Sequence, residues 1–182
     1  MRAKTLESWL YSSQRRLAIL RKLDQPLTAT QLARKAGIDR DSCSELLGEL
    51  YLKAFVTCLN PKQQRSRVYW LTGRGLHFRS RLTQEPIEPL PEIEWALYGE
   101  LCHNHRSAIM RAIREPMRPS KIKRRALLAD AELRINLNNV RDILRWMLRK
   151  NLVQHVHLRK YVHPLYELTG TGKAMQQLLA RA

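Results

Sequence analysis

"YWLTGRG" runs from Tyr69 to Gly75 and "YELTGTG" from Tyr166 to Gly172, so five of seven letters recur at an offset of 97. An apolar run with aromatic residues that closes on Thr-Gly-x-Gly reads as a strand turning into another element. Walking backwards, "LYLKAFV" (Leu50 to Val56) and "MLRKNLV" (Met147 to Val153) keep the same offset. Further back, "AILRKLDQP" (Ala18 to Pro26) matches "AIMRAIREP" (Ala108 to Pro116) at an offset of 90, which puts seven extra residues into the second copy around "LLADAELR". Self-similarity over this length signals a duplicated supersecondary unit, and two domains of about 80 residues follow. The expected division is a first domain over 1–83, a linker over 84–92 and a second domain over 93–182. Pro86, Pro89 and Pro91 make the linker stiff.

Each copy spells the same elements. In the first, "SQRRLAILRKL" places Leu17, Leu20 and Leu23 on one face behind Ser13 as N-cap. "TATQLARKAG" offers Thr28 or Thr30 as cap, buries Leu32, Ala33 and Ala36, and stops at Gly37. "DRDSCSELLGELYLK" starts on Asp39 and carries Cys43, Leu46, Leu47 and Leu50 at steps of three and four. "FVTCL" and "VYWLT" then read as a hairpin around a polar tip, with a last helix beyond the Gly-containing turn. In the second copy "HRSAIMRAI", "SKIKRRALLAD" capped by Ser120, and "NNVRDILRWMLRK" repeat the helices. Its strands are "VQHVHL" and "LYELT", its tip is "RKYVH", and its closing helix is "GKAMQQLLARA".

The fold class expected is therefore mainly α with small β-hairpin wings, an α+β chain of two tandem winged helix-turn-helix domains. Both copies resemble the winged-helix modules of MarR-like and ArsR-like bacterial and archaeal transcriptional regulators. The resemblance rests on "QLARKAGIDRDSCSELLGELYLKAFV", on "NNVRDILRWMLRKNLV" and on the closing "YxLTxxG", and covers most of 13–82 and 105–180. The second copy departs from the pattern by carrying Leu127 where the first has Gly at the helix-two turn. The same spacing also serves replication initiators and protein-interaction modules, so function has to come from the residues presented.

Composition points to a polyanionic partner. Thirty-three Lys and Arg against sixteen Asp and Glu leave +17, a field that attracts nucleic acid. The basic residues are interspersed with apolar ones at helical spacing, which argues for folded basic faces. Cys43, Cys58 and Cys102 form no CxxC pair and fit free thiols in a reducing compartment. No apolar run approaches a membrane span of about 18 residues, and "MRAKTLESWLY" lacks the apolar core of a signal peptide, so a cytoplasmic, nucleoid-associated location is expected.

In the modules this chain resembles, the third helix enters the major groove while the hairpin touches the backbone or minor groove. That resemblance assigns base or phosphate contact in the second copy to Asn138, Asn139, Arg141 and Arg145, which point away from the stripe of Val140, Ile143, Leu144 and Met147. Asn pairs bidentately with adenine and Arg with guanine, each pair worth ~1–3 kcal/mol of discrimination. Lys121, Lys123, Arg124 and Arg125 on the helix before it are placed to follow a phosphate backbone. In the first copy Arg40, Ser42 and Ser44 are the candidates, beside three carboxylates (Asp41, Glu45 and Glu49) that repel phosphates. Hairpin tips add Lys62, Arg65 and Arg67 in the first copy and Arg159 and Lys160, beside Tyr161, in the second.

The histidines of "CHNH" and "HVH" match no closed metal-site spacing, and no phosphate-cradling loop, nucleophile elbow or HExxH helix is present, so no cofactor, metal or catalysis is expected. The functional expectation is sequence-specific binding of double-stranded DNA by a transcriptional regulator. The alternative is a nucleic-acid-binding assembly component, such as a mobile-element replication initiator or defence-complex subunit, that turns one module to a protein. A homodimer and a distinct protein partner both stay open at this level. Single-strand or RNA binding ranks last, because Tyr161 is the sole evident exposed stacking residue.

Overall fold

The computed structural model describes residues 5–86, 89–157 and 165–182. The chain is mainly helical with small antiparallel sheets, an α+β arrangement. It divides into two compact units, one ending at Gly99 and one covering Glu100 to Arg181. The first unit holds α1 (Leu6–Tyr11), α2 (Gln14–Lys22), β1 (Leu27–Thr28), α3 (Ala29–Ala36), α4 (Arg40–Leu52), β2 (Val56–Cys58), β3 (Val68–Leu71) and α5 (Gly73–Thr83). After α6 (Trp95–Leu101), the second holds α7 (Asn104–Ala112), α8 (Pro119–Ala129), α9 (Leu137–Arg149), β4 (Val153–Val156), β5 (Leu165–Leu168) and α10 (Gly170–Arg181). Among the described residues, no helix is long and apolar enough to cross a membrane.

The helix starts follow side-chain capping chemistry. Ser13 and Asp39 accept the backbone N–H three residues on, and Thr28 and Gln31 close a reciprocal capping box. Gly37 ends α3 with φ +66, a left-handed conformation that L side chains resist. One expected cap is displaced. α8 begins with Pro119 at its first position and Arg118 as the flanking residue, so Ser120 lies inside the helix. Proline needs no N–H partner there and its fixed φ suits a first turn, which outcompetes the serine. Leu127 likewise lies within α8, which continues to Ala129 before an irregular stretch leads into α9.

Strand β1 escapes sequence reading. Leu27 and Thr28 pair with Tyr69 and Val68, giving a three-stranded sheet of order β1-β3-β2. Two residues carry no periodicity, and their partners lie some forty positions downstream. Among the described residues the second unit has one bridge, Met117 to Tyr166, beside the β4–β5 hairpin. In the first unit the core gathers Leu17, Leu20, Leu32, Cys43, Leu47, Leu50 and Phe55, all buried. Trp9 of α1 stacks on Phe55, with ring centroids 6.0 Å apart.

The repeated phrase is a knot at the junction of three elements. Thr72 donates its hydroxyl to the carbonyl of Ala54 at 2.6 Å, accepts from Gly75 N at 3.2 Å, and through its own N–H reaches Phe55 O at 3.0 Å. Thr169 repeats this with Asn151, Gly172 and Leu152 at 2.7, 3.0 and 3.1 Å. Ala54 and Asn151 both adopt positive φ, +56 and +53, to turn the chain out of the preceding helix. A Cβ on Gly75 would collide with the Phe55 carbonyl, and one on Gly172 with the Leu152 carbonyl. Gly75→Ala and Gly172→Ala should therefore each cost about 3 kcal/mol, the upper range for overpacking, read as a lowered urea midpoint. Gly73→Ala and Gly170→Ala, with open space around them, serve as controls.

Burial also fixes the reactivity of Cys43. It is fully buried on α4, and desolvation pushes its thiol up to about 11. A raised folded pKa means that the stabilisation is complete below the unfolded value of about 8.5 and is lost as pH rises through about 11. In native protein Cys43 should resist alkylation at neutral pH while the partly exposed Cys58 and Cys102 react, as mass spectrometry of labelled peptides would show.

Candidate nucleic-acid interface

α9 starts on Asn136, whose side chain accepts from Asn139 N at 2.8 Å, while Asn139 Oδ1 accepts from Asn136 N at 3.3 Å. This capping box holds the first turn in place. Val140, Leu144 and Met147 are fully buried and Ile143 half-buried, so the stripe predicted from spacing faces the core. Asn138, Asn139, Arg141, Asp142 and Arg145 lie on the other side, all exposed. Arg141 donates to Asn138 Oδ1 at 3.3 Å, and Arg145 to Asp142 Oδ1 at 2.7 Å. Exposed pairs of this kind contribute about 0.5 kcal/mol or less, so they orient the guanidinium groups without committing them. Asn139 differs, because its carbonyl is committed to the cap. The outward set with side chains available to a base edge contracts to Asn138, Arg141 and Arg145.

The four cations of α8 separate into two kinds. Lys121 pairs with Glu115 at 2.8 Å, and Arg125 turns inward, half-buried, with Glu115 at 3.8 Å and Met117 Sδ at 3.4 Å. These contacts give Arg125 a bracing role within the unit. The hydrogen bond from Lys121, with the lysine's charge next, holds the Glu115 carboxyl below the usual carboxylate range. Lys123 and Arg124 make no ion pair among the described residues. Arg118, at the N-cap of α8, adds a cation that a serine-first reading passes over, and Pro119 is the sequence signal for it.

α4 of the first unit carries a different face. Arg40 and Ser44 are exposed and Ser42 half-buried, its N–H taken by Asp39 Oδ1 at 2.8 Å. Asp41 sits 3.8 Å from Arg40, and Glu49 is held by Arg16 at 2.9 Å. From Asp39 to Lys53 four carboxylates stand against two cations, whereas from Asn136 to Lys150 four cations stand against Asp142 alone. The observed boundary sharpens the contrast. Up to Gly99 there are sixteen basic and ten acidic residues, and from Glu100 onward seventeen and six, or +6 against +11.

The hairpins differ in what holds them. The first has Lys62 and Arg65 at its tip and Arg67 folded back onto the Gln63 carbonyl at 3.0 Å. Buried Asn60 braces the loop, accepting from Val68 N at 2.7 Å and donating to Gln63 at 2.7 Å and to the Ser66 carbonyl at 3.1 Å. Gln63 in turn donates to Ala96 O of α6 at 3.0 Å. Arg159, Lys160 and Tyr161 of the second hairpin lie outside the described residues. Its described strands pair in full from Val153 to Val156, with His155 edge-on to Tyr166 at 4.8 Å.

One pair of contacts connects scaffold to face in both units. Arg16 of α2 lies 4.0 Å over the Trp9 ring and bonds Glu49 of α4. Its counterpart at the offset of 90, Arg106 of α7, lies 4.3 Å over Trp146 of α9, which stands at the offset of 97 from Glu49. Both arginines also donate to a preceding carbonyl, that of Trp9 at 2.7 Å and that of Glu100 at 3.1 Å. The same bridge from first to third helix is an ion pair in one copy and a cation–π contact in the other.

Among the described residues, no group of three His, Cys, Asp or Glu could hold a metal ion. No family model matches the chain, and no curated protein matches it. Asn136→Ala should cost about 1 kcal/mol and fray the turn bearing Asn138. Faster amide exchange over residues 137–141 with little change in α10 is the expected readout.

Proposed function

We propose that both units are winged helix-turn-helix modules and that the protein binds double-stranded DNA sequence-specifically as a transcriptional regulator, with the second unit reading bases. The observation that carries this reading is the α9 face, where Asn138, Arg141 and Arg145 stand opposite a buried stripe, in the unit with the larger positive charge. Asparagine and arginine are side chains whose donor geometry matches adenine and guanine edges in the major groove. Lys123 and Arg124 on α8 supply the sequence-independent phosphate attraction that fixes register. The order of three helices, hairpin and closing helix in each unit, with β1 or its one-bridge equivalent beside the hairpin, supports the modular assignment. The first unit contributes less to base reading, because its α4 face repels phosphate.

Selection from randomised duplex DNA followed by sequencing, at two salt concentrations, tests this. A defined motif is expected; affinity with no sequence preference at either salt would sink the regulator. Arg141→Ala and Arg145→Ala should each relax preference at particular base positions and cost ~1–3 kcal/mol there. Lys123→Ala with Arg124→Ala should weaken all sequences alike and reduce the salt slope by about two. Glu115→Gln should act in the opposite sense, releasing Lys121 and Arg125 and tightening binding at low salt.

A further inference from the structure

We infer that the α4 face of the first unit docks the α8 face of a second copy of this chain, so that copies associate head to tail. Leu52 and Leu128, at 82% and 81%, are by far the most exposed large apolar side chains among the described residues, the next being Tyr51 at 50%. Each stands at the C-terminal end of a helix, and the two helices carry opposite charge. Leu52 closes a stripe of Asp41, Glu45 and Gly48 on α4, while Leu128 closes one of Lys121 and Arg124 on α8. Residues four and seven apart share a helix face, so each leucine lies directly in line with its charged neighbours.

The spacing matches as well as the sign. Glu45 precedes Leu52 by seven residues and Lys121 precedes Leu128 by seven, about 10.5 Å along either axis. Laid parallel, the helices set leucine on leucine and Lys121 on Glu45. Arg124 then crosses α4 at Gly48, between Glu45 and Glu49. Gly48 is otherwise unexplained. It sits exposed in the middle of a helix with ordinary φ, and a Cβ there would meet nothing within 4 Å, although glycine disfavours helix more than any residue but proline. A close approach of a partner side chain at that point accounts for it. Antiparallel packing would set leucine against charge at both ends.

Charge also excludes the symmetric alternatives. Two α4 stripes would oppose Asp41 and Glu45 to the same carboxylates, and two α8 stripes would oppose Lys121 and Arg124 to the same cations. A contact made from different faces either closes on itself, as a reciprocal pair or a ring, or leaves one of each face unfilled at the ends and extends. This reading does not depend on nucleic acid, and its test omits it.

Sedimentation equilibrium on nucleic-acid-free protein, over a concentration series, reads the result. The wild-type average mass should rise to two chains or more at low salt and fall back towards one at high salt. Leu52→Asp and Leu128→Asp, both at exposed positions, should each stay monomeric, while their equimolar mixture forms a two-chain species and nothing larger. Gly48→Gln should also block association while leaving the helical circular dichroism intact. A monomeric wild type, single variants that still associate, or a mixture that fails to pair would each overturn the proposal. Duplex binding by dilute protein should be unchanged in Leu52→Asp and Gly48→Gln, which lie on α4 away from the proposed reading helix, so its loss there would bear on the preceding reading alone.

Discussion

The hydroxyl of one threonine in each unit holds three elements together. Thr72 and Thr169 tie the turn leaving the third helix to the end of the returning strand and to the first turn of the closing helix. The glycine three residues on allows the closing helix to approach the chain so nearly that no Cβ fits. Everything presented outward depends on this junction, because it sets how the third helix stands against the hairpin. The backbone carbonyls at this point must find donors, and the threonine hydroxyl and amide supply them. This is why the phrase survives in both copies while its surroundings changed.

Around that constant junction the two units use their side chains differently. The bridge from first to third helix is Arg16 to Glu49 in one and Arg106 to Trp146 in the other. An ion pair at that point places a carboxylate on an already acidic helix. The aromatic partner in the second unit adds no negative charge, and α9 keeps its surplus of arginine. The difference in polyanion affinity proposed for the two units therefore begins in their frameworks as well as on their faces.

Much of this was legible in advance. Helix caps at Ser13, Thr28 and Asp39, the buried stripes of α4 and α9, and the hairpin strands follow from local rules, since capping and apolar periodicity act over three or four residues. Ser120 failed as a cap because Pro119 beside it made a better first position. β1 and the bracing of the first hairpin by Asn60 and Gln63 were not legible, since their partners are set by tertiary approach. Within the candidate interface, the outward placement of Asn138, Arg141 and Arg145 came from periodicity. The commitment of Asn139 to the cap and of Arg125 to Glu115 and Met117 emerged only in the folded chain.

By itself the sequence determined the duplication, the order of the three helices, hairpin and closing helix in each copy, the buried faces and the excess of positive charge. These are properties of composition and short-range spacing, which each stretch of chain carries with it. Tertiary structure alone decided which charges remain available. A salt bridge, a cap or an aromatic contact forms between groups that folding brings together, and no spacing rule states whether Arg16 meets Glu49 or Arg124 meets solvent. The boundary at Gly99 likewise follows from where α6 meets the first hairpin, through Ala96 and the close fit of Gly99 against Asn60. With that boundary the charge of the two units becomes unequal, and the second unit carries the larger share.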